Sequence, residues 1–292
     1  MGLTAKFNLI LLSVLGLGFA AIGYIAHETL QENARHEVIE QASLMMGSAA
    51  AVRGYTVEEI RPLLGMQIKR AFLPQTVPAY AATQSFIQLQ KDHPEYSYKE
   101  ATLNPTNPRD RAVDWEADII TLFRNNSKLG DFVGERQTPN GRSLFLAKPI
   151  RIDNEACLAC HSTPQAAPET MLARYGTANG FGWKLDEVVG AQIVSVPMLV
   201  PVAKAEHTFR FFMTVLGIVL AAILVLVNLL LKFTVLNPIK RMSRMADDVS
   251  HGNMGAPEFS IDGKDEVATL TASFNRMRRS LEKAFSMLEE KN

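Results

Sequence analysis

The chain has 292 residues and only two cysteines, and a histidine directly follows the second: Cys157-Leu158-Ala159-Cys160-His161. Two thiols at this spacing can do four kinds of chemistry. A disulfide between them would close a very small loop and remove little entropy from the unfolded chain. A structural zinc ion would need a second Cys/His pair at similar spacing, and the sequence has none. A thioredoxin-like redox pair belongs to a βαβ setting, which the surrounding pattern does not offer. The fourth possibility uses the histidine as well. In C-x-x-C-H, the thiols add to the two vinyl groups of haem and the adjacent imidazole meets the iron. The motif therefore predicts one covalent haem c, attached through Cys157 and Cys160, with His161 as the proximal iron ligand.

Haem c is attached outside the cytoplasm, so the elements around the motif must put it there. Phe7 to Ala26 carries no charge, and Phe211 to Leu231 has Asn228 as its only strongly polar residue. Each run matches a hydrocarbon core of roughly 30 Å at 1.5 Å per helical residue. A cleaved signal peptide is the alternative for the first run. Its apolar part is longer than usual for a signal peptide, however, and only a weak small-residue cleavage site follows. Lys6 precedes the first run, and Lys232, Lys240, Arg241 and Arg244 follow the second. The positive-inside rule then places both ends in the cytoplasm and the middle outside, although Arg35 and Arg210 flank the outer side. Lys plus Arg and Asp plus Glu number 30 each, a balance that argues against nucleic acid as a partner.

The central segment mixes helical and strand patterns. Leu30, Ala34, Val38, Ala42, Met45 and Ala49 form a helical stripe running out of the first span and ending near Gly54. Thr56 and Glu59 read as a capping box that restarts a helix. Pro74, Pro78 and the stretch from Lys91 to Asp110 read as loops. Asp114 to Asn126 reads as a helix capped by Asp114. Gly141 to Ile152 and the β-branched run from Gly190 read as strands, the first entered through a Pro-Asn-Gly turn. Helices and antiparallel strands that do not alternate as βαβ units predict an α+β domain.

Four stretches resemble the periplasmic c-type haem domains of PAS-like fold found in bacterial sensors and in a stand-alone cyanobacterial haem protein. They are "AVRGYTVEEIRPLL" at 51–64, "EATLNPTNPRDRAVDWEADII" at 100–120, "LAKPIRIDNEACLACHSTP" at 146–164 and "NGFGWKLDEVVGAQIVSVPM" at 179–198. The stand-alone relative implies a cysteine thiolate from the N-terminal helix as sixth iron ligand, and no third cysteine exists here. Met46 is the candidate chosen in its place. Met45 and His36 are alternatives on the same helix, and an open iron is another. Both methionines also read as core packing. Arg53 and Arg151 are candidate partners for haem propionates.

Beyond the second span, Ile239, Met242, Ala246 and Val249, then Val267, Leu270, Phe274, Met277 and Leu281, follow heptad spacing, which Phe285 and Leu288 extend. A Gly- and Pro-containing connector separates the two stripes. Together with Pro238 and Glu266 the segment resembles a HAMP domain, which implies a parallel homodimer relaying motion from the membrane. The expected plan is a cytoplasmic N-terminus at 1–6, a transmembrane helix at 7–26, the PAS-like haem domain at 27–208, a second transmembrane helix at 209–233, HAMP at 234–288 and a tail at 289–292. The expected function is a haem sensor subunit in a bacterial inner membrane, not itself an enzyme, acting on a separate kinase, cyclase or chemotaxis-type protein. A membrane-anchored electron-transfer cytochrome is the alternative.

Overall fold

The computed structural model describes residues 2–139, 141–253 and 265–289. The chain divides into two units, Tyr24–Arg210 and the paired segments Met1–Gly23 with Phe211–Asn292. Apart from short helical turns, including Arg61–Leu63 and Gly65–Arg70, the elements in order are α1 (Leu3–Tyr55), α2 (Pro78–Asp92), β1 (Ser97–Thr102), α3 (Asp114–Asn125), β2 (Phe132–Thr138), β3 (Gly141–Arg151), α4 (Leu158–His161), α5 (Glu169–Tyr175), β4 (Val188–Pro197), α6 (Leu199–Leu231), α7 (Asn237–Ser250) and α8 (Glu266–Glu289).

The unit at Tyr24–Arg210 is built on a four-stranded antiparallel sheet of order β1-β4-β3-β2. Side chains alternate across it, and each face has its own core. One face carries Tyr98, Leu144, Leu146, Val194, Val196 and Met198, covered by Val38, Ala42, Met46 and Ala49 of α1 and by Phe86 of α2. The other carries Ala101, Phe145, Ala147, Ala191 and Ile193 under Ile119, Ile120 and Phe123 of α3. The mixed helix and antiparallel-strand pattern thus meets an α+β arrangement.

Several local readings are corrected. The buried stripe of α1 is Ala34, Val38, Ala42, Met46 and Ala49, so it passes through Met46 and not Met45. The helix does not restart at Thr56. It passes from Tyr55 straight into a π-helical turn at Thr56–Ile60, and the Thr56 hydroxyl donates to the Val52 carbonyl at 2.7 Å instead of capping. The cap of α3 is Val113, whose N–H donates to the Glu116 carboxylate at 2.9 Å. The region read as loop holds β1, and Pro78 opens α2 at a position where its missing N–H costs nothing. β1 escapes detection because Ser-Tyr-Lys-Glu-Ala-Thr has charged residues where a strand pattern expects apolar ones. Lys99 and Glu100 are each held by an opposite charge instead.

In the other unit, α1 and α6 contain stretches long and apolar enough to cross a membrane. Almost nothing in those stretches is buried, so neither is the core helix of a soluble protein. The two pack side by side: a Cβ at Gly23 would lie 2.9 Å from Met213 Cε. In α7 and α8, Met242, Val249, Ala268 and Thr271 are buried, and the Thr271 hydroxyl contacts Met242 sulfur at 3.2 Å. Leu270, Met277 and Leu281 are exposed. The connector between these helices, the turn residue Asn140, the side chains of Phe285 and Leu288 and the last three residues lie outside the described residues.

The strand at β4 begins two residues before Gly190, which places that glycine inside the sheet. A Cβ there would fall on the Ala101 carbonyl oxygen of β1. Gly190→Ala is expected to destabilise the domain by about 1–3 kcal/mol, read as a lower melting temperature. An unchanged melting temperature would contradict the close β1–β4 approach.

Candidate haem-attachment site

The motif lies just past the end of β3. The Asn154 side chain accepts from the Ala156 N–H at 2.8 Å, and the Cys157 N–H returns to the Asn154 carbonyl at 3.0 Å. This turn starts a 3-10 segment, Glu155–Cys157, that runs straight into α4. Both thiols are free and partly exposed. Burial pushes the Cys160 thiol upward, and the Arg61 guanidinium works against that shift. Arg53, at the end of α1, feels the charge of Cys157 in the same way. Both guanidiniums are thus within electrostatic reach of the cysteine pair.

His161 is oriented from both sides. Its Nδ1 lies 2.8 Å from the Gly180 carbonyl oxygen and 3.4 Å from Thr106 Oγ1. A nitrogen facing a carbonyl must carry the proton, which leaves the Nε2 lone pair available. The ring stacks on Trp183 at 3.9 Å between centroids, with 13° between planes. Burial lowers the imidazole's proton affinity, only partly offset by the Gly180 carbonyl, so the neutral, ligand-competent form is favoured.

The carbonyl is itself held. The Gly180 N–H donates to Asn104 Oδ1 at 3.1 Å, and the Asn104 amide donates to the Phe181 carbonyl at 3.1 Å. The Trp183 and Gly182 N–H groups donate to the His161 and Ser162 carbonyls. Gly180 has φ +86°, and a Cβ there would meet Thr106 Oγ1, so only glycine fits. Asn104, Thr106, Gly180 and Trp183 were not singled out as site residues by sequence reasoning, although each lies in one of the four resembling stretches. "Asn-Gly-Phe-Gly" was the one local signal, a turn dipeptide followed by a second glycine.

A partly buried charge array stands at the end of α1. Arg53 Nη1 contacts both Glu100 oxygens, at 2.6 and 2.5 Å, and the Tyr98 hydroxyl donates to Glu100 at 2.7 Å. Burial opposes the Arg53 charge, but the Glu100 carboxylate overrides it and raises the guanidinium's proton affinity. Burial and the same carboxylate push the Tyr98 phenol well above its ordinary range.

The other site candidates have the following surroundings. Met46 is 3% exposed within the core between α1 and the sheet, and Met45 is only partly buried against it. His36 projects into solvent, 3.6 Å from Glu40. Arg151 donates to the Asp186 and Ser127 carbonyls. Among the described residues no cluster of three or more His, Cys, Asp or Glu side chains is arranged to hold a metal ion, so zinc lacks donors there.

The fold and site define an α+β domain with a C-x-x-C-H turn, flanked by two membrane-length helices. The chain belongs to the Tll0287-like family, whose profile matches residues 31–197, and carries a HAMP domain at 230–283. The crystal structure of the cyanobacterial heme-protein Tll0287 is similar to 57% of this chain and 94% of that one, at 17% identity and a TM-score of 0.36. Sensor histidine kinase MtrB from Mycobacterium tuberculosis and from Mycobacterium bovis is 31% identical over 96 residues, 32% of this chain. The chain spans only 17% of the length of those kinases.

Because the folded-state pKa of His161 is depressed, its contribution to stability is complete above the ordinary value of about 6.5 and is lost as pH falls below it. An NMR titration of the haem-free chain is expected to find His161 ionising below that value. Ionisation at or above it would contradict the buried, Nδ1-protonated arrangement.

Proposed function

We propose that this chain is a membrane-anchored signalling subunit that carries one covalent haem c at Cys157 and Cys160, with His161 as proximal ligand. The observation that carries the reading is the His161 Nδ1 contact with the Gly180 carbonyl, which leaves Nε2 as a metal-directed lone pair beside two free thiols. Bound there, a haem would supply an iron that changes charge on oxidation and accepts small ligands. Cys157 and Cys160 would hold it by thioether bonds, and Arg53 and Arg61 are the cations facing that end.

Arg53 is also the candidate link to the membrane. It belongs to α1, an unbroken helix from Leu3 to Tyr55, and its partner Glu100 belongs to β1. A charge arriving beside Cys157 acts on this ion pair and so on the seating of α1. β4 pairs with β1 and leads through Met198 into α6. Both membrane-length helices thus begin or end on elements that touch the array. In this reading the domain lies in the periplasm of a bacterial inner membrane and the HAMP helices in the cytoplasm. There, exposed Leu270, Met277 and Leu281 meet a second copy. The output is a separate kinase, cyclase or chemotaxis-type protein.

Met46 is the proposed sixth ligand, on helix geometry. It lies seven residues before Arg53, within about 20° of the same face, whereas Met45 lies about 80° and His36 about 100° round. Met46→Leu keeps the core volume and removes the thioether, at a cost below about 1.5 kcal/mol. It is expected to give a high-spin spectrum and faster CO uptake, and an unchanged ferrous spectrum would leave Met46 as core packing alone.

Signalling and plain electron transfer separate on one test. Cysteines introduced as Met242→Cys and Phe274→Cys in the homodimer are expected to crosslink at rates that differ between oxidised and reduced haem. Equal rates in both states would favour the electron-transfer cytochrome.

A further inference from the structure

The sheet face beneath α3 is only partly covered. Directly paired residues share a face, so Ser97, Ser195, Phe145 and Gly134 form one row on it and Lys99, Ile193, Ala147 and Phe132 the next. The buried side chains of α3 pack toward Ala101, Ala191 and Ile193. Toward the other end of the strands a cavity of about 440 Å³ opens, with Ser97, Lys99, Ile193 and Ser195 among its lining and Trp115 and Arg136 beside them. Cys157, Cys160 and His161 are not among its lining residues, although Tyr98, which donates to Glu100, is.

Its charges do not balance. Glu116 is taken by Lys99 at 2.6 Å, and Asp110 by Arg109 at 3.2 Å. Arg136 lies with its guanidinium 4.2 Å from the Trp115 ring centroid, and among the described residues no carboxylate pairs with it. Burial pushes the Asp110 carboxyl upward against the pull of Arg109. The cavity therefore holds three cations against two acids, an indole wall, an isoleucine floor and a pair of serine hydroxyls facing one another across β1 and β4. Its volume falls in the range of small-molecule pockets, about 300–1,000 Å³.

We propose that this cavity binds a small organic anion with one carboxylate and a flat apolar body, the carboxylate on Arg136 and the flat body between Trp115 and Ile193. A planar guanidinium matches a carboxylate in two parallel hydrogen bonds, and the indole already holds it in place. Ser97 and Ser195 supply donors at the sheet side. The floor strand, β4, continues through Met198 into α6, so occupancy here is a second input to the same chain, independent of the thiols.

The test uses the full haem-loaded chain in lipid nanodiscs, with phenylacetate as probe and phenylacetamide as its uncharged counterpart, followed by calorimetry and ligand-observed NMR. Phenylacetate is expected to bind at least about tenfold more tightly than phenylacetamide. Arg136→Gln is expected to remove most of that preference while the visible haem spectrum stays unchanged, and Arg136→Lys to keep part of it. No phenylacetate binding up to about 10 mM, or equal binding of acid and amide to the unaltered chain, overturns the proposal. Full phenylacetate affinity in Arg136→Gln overturns it as well.

Discussion

A carboxylate buried in an edge strand must find a cation, and here Arg53, partly buried at the end of a long helix, supplies it to Glu100. Removing one partner of such a pair leaves an uncompensated buried charge, at a cost of about 3–5 kcal/mol. Arg53 and Glu100 therefore fix where α1 meets the sheet. Val38, Ala42, Met46 and Ala49 then follow onto that face, and Arg61, past the turn, comes within electrostatic reach of Cys160. Tyr98 completes the array by donating to the same carboxylate. The ion pair thus joins the end of a membrane-length helix to the edge strand, two elements far apart in sequence.

The second constraint is the loop that aims His161. Its ring is set by a glycine carbonyl, and that carbonyl by Asn104. The backbone conformation at Gly180 excludes a side chain. Binding geometry is in this way built by polypeptide backbone held from a neighbouring loop, which turns the imidazole correctly, while partial burial works against the carbonyl and favours the neutral ring.

The candidate attachment motif was legible because it is local. Cys157, Cys160 and His161 stand within five residues, and a covalent attachment motif needs nothing more. The membrane-length helices and β3 were legible because their apolar patterns are long. Other features depend on pairing across the chain. β1 is written in polar residues, and only its partners Arg53 and Glu116 explain why Glu100 and Lys99 can lie in a strand. The choice between Met45 and Met46 turned on a helix phase that sequence periodicity gave one residue off. Thr56 carries the residue type of a cap but bonds back to Val52, because the helix before it has not ended. In the HAMP segment the heptad stripe was clear, yet within one chain α8 turns Ala268 and Thr271 toward α7 and leaves Leu270 and Met277 outward.

The central claim is covalent haem on the two thiols, and the intact mass of the denatured chain tests it most directly. Chain produced with a cytochrome c maturation system is expected to exceed its sequence mass by one haem. The gain should localise to the peptide holding Cys157 and Cys160, and it should vanish when both are changed to alanine. A mass equal to the sequence alone, or lower by the two hydrogens of a disulfide, would contradict the account.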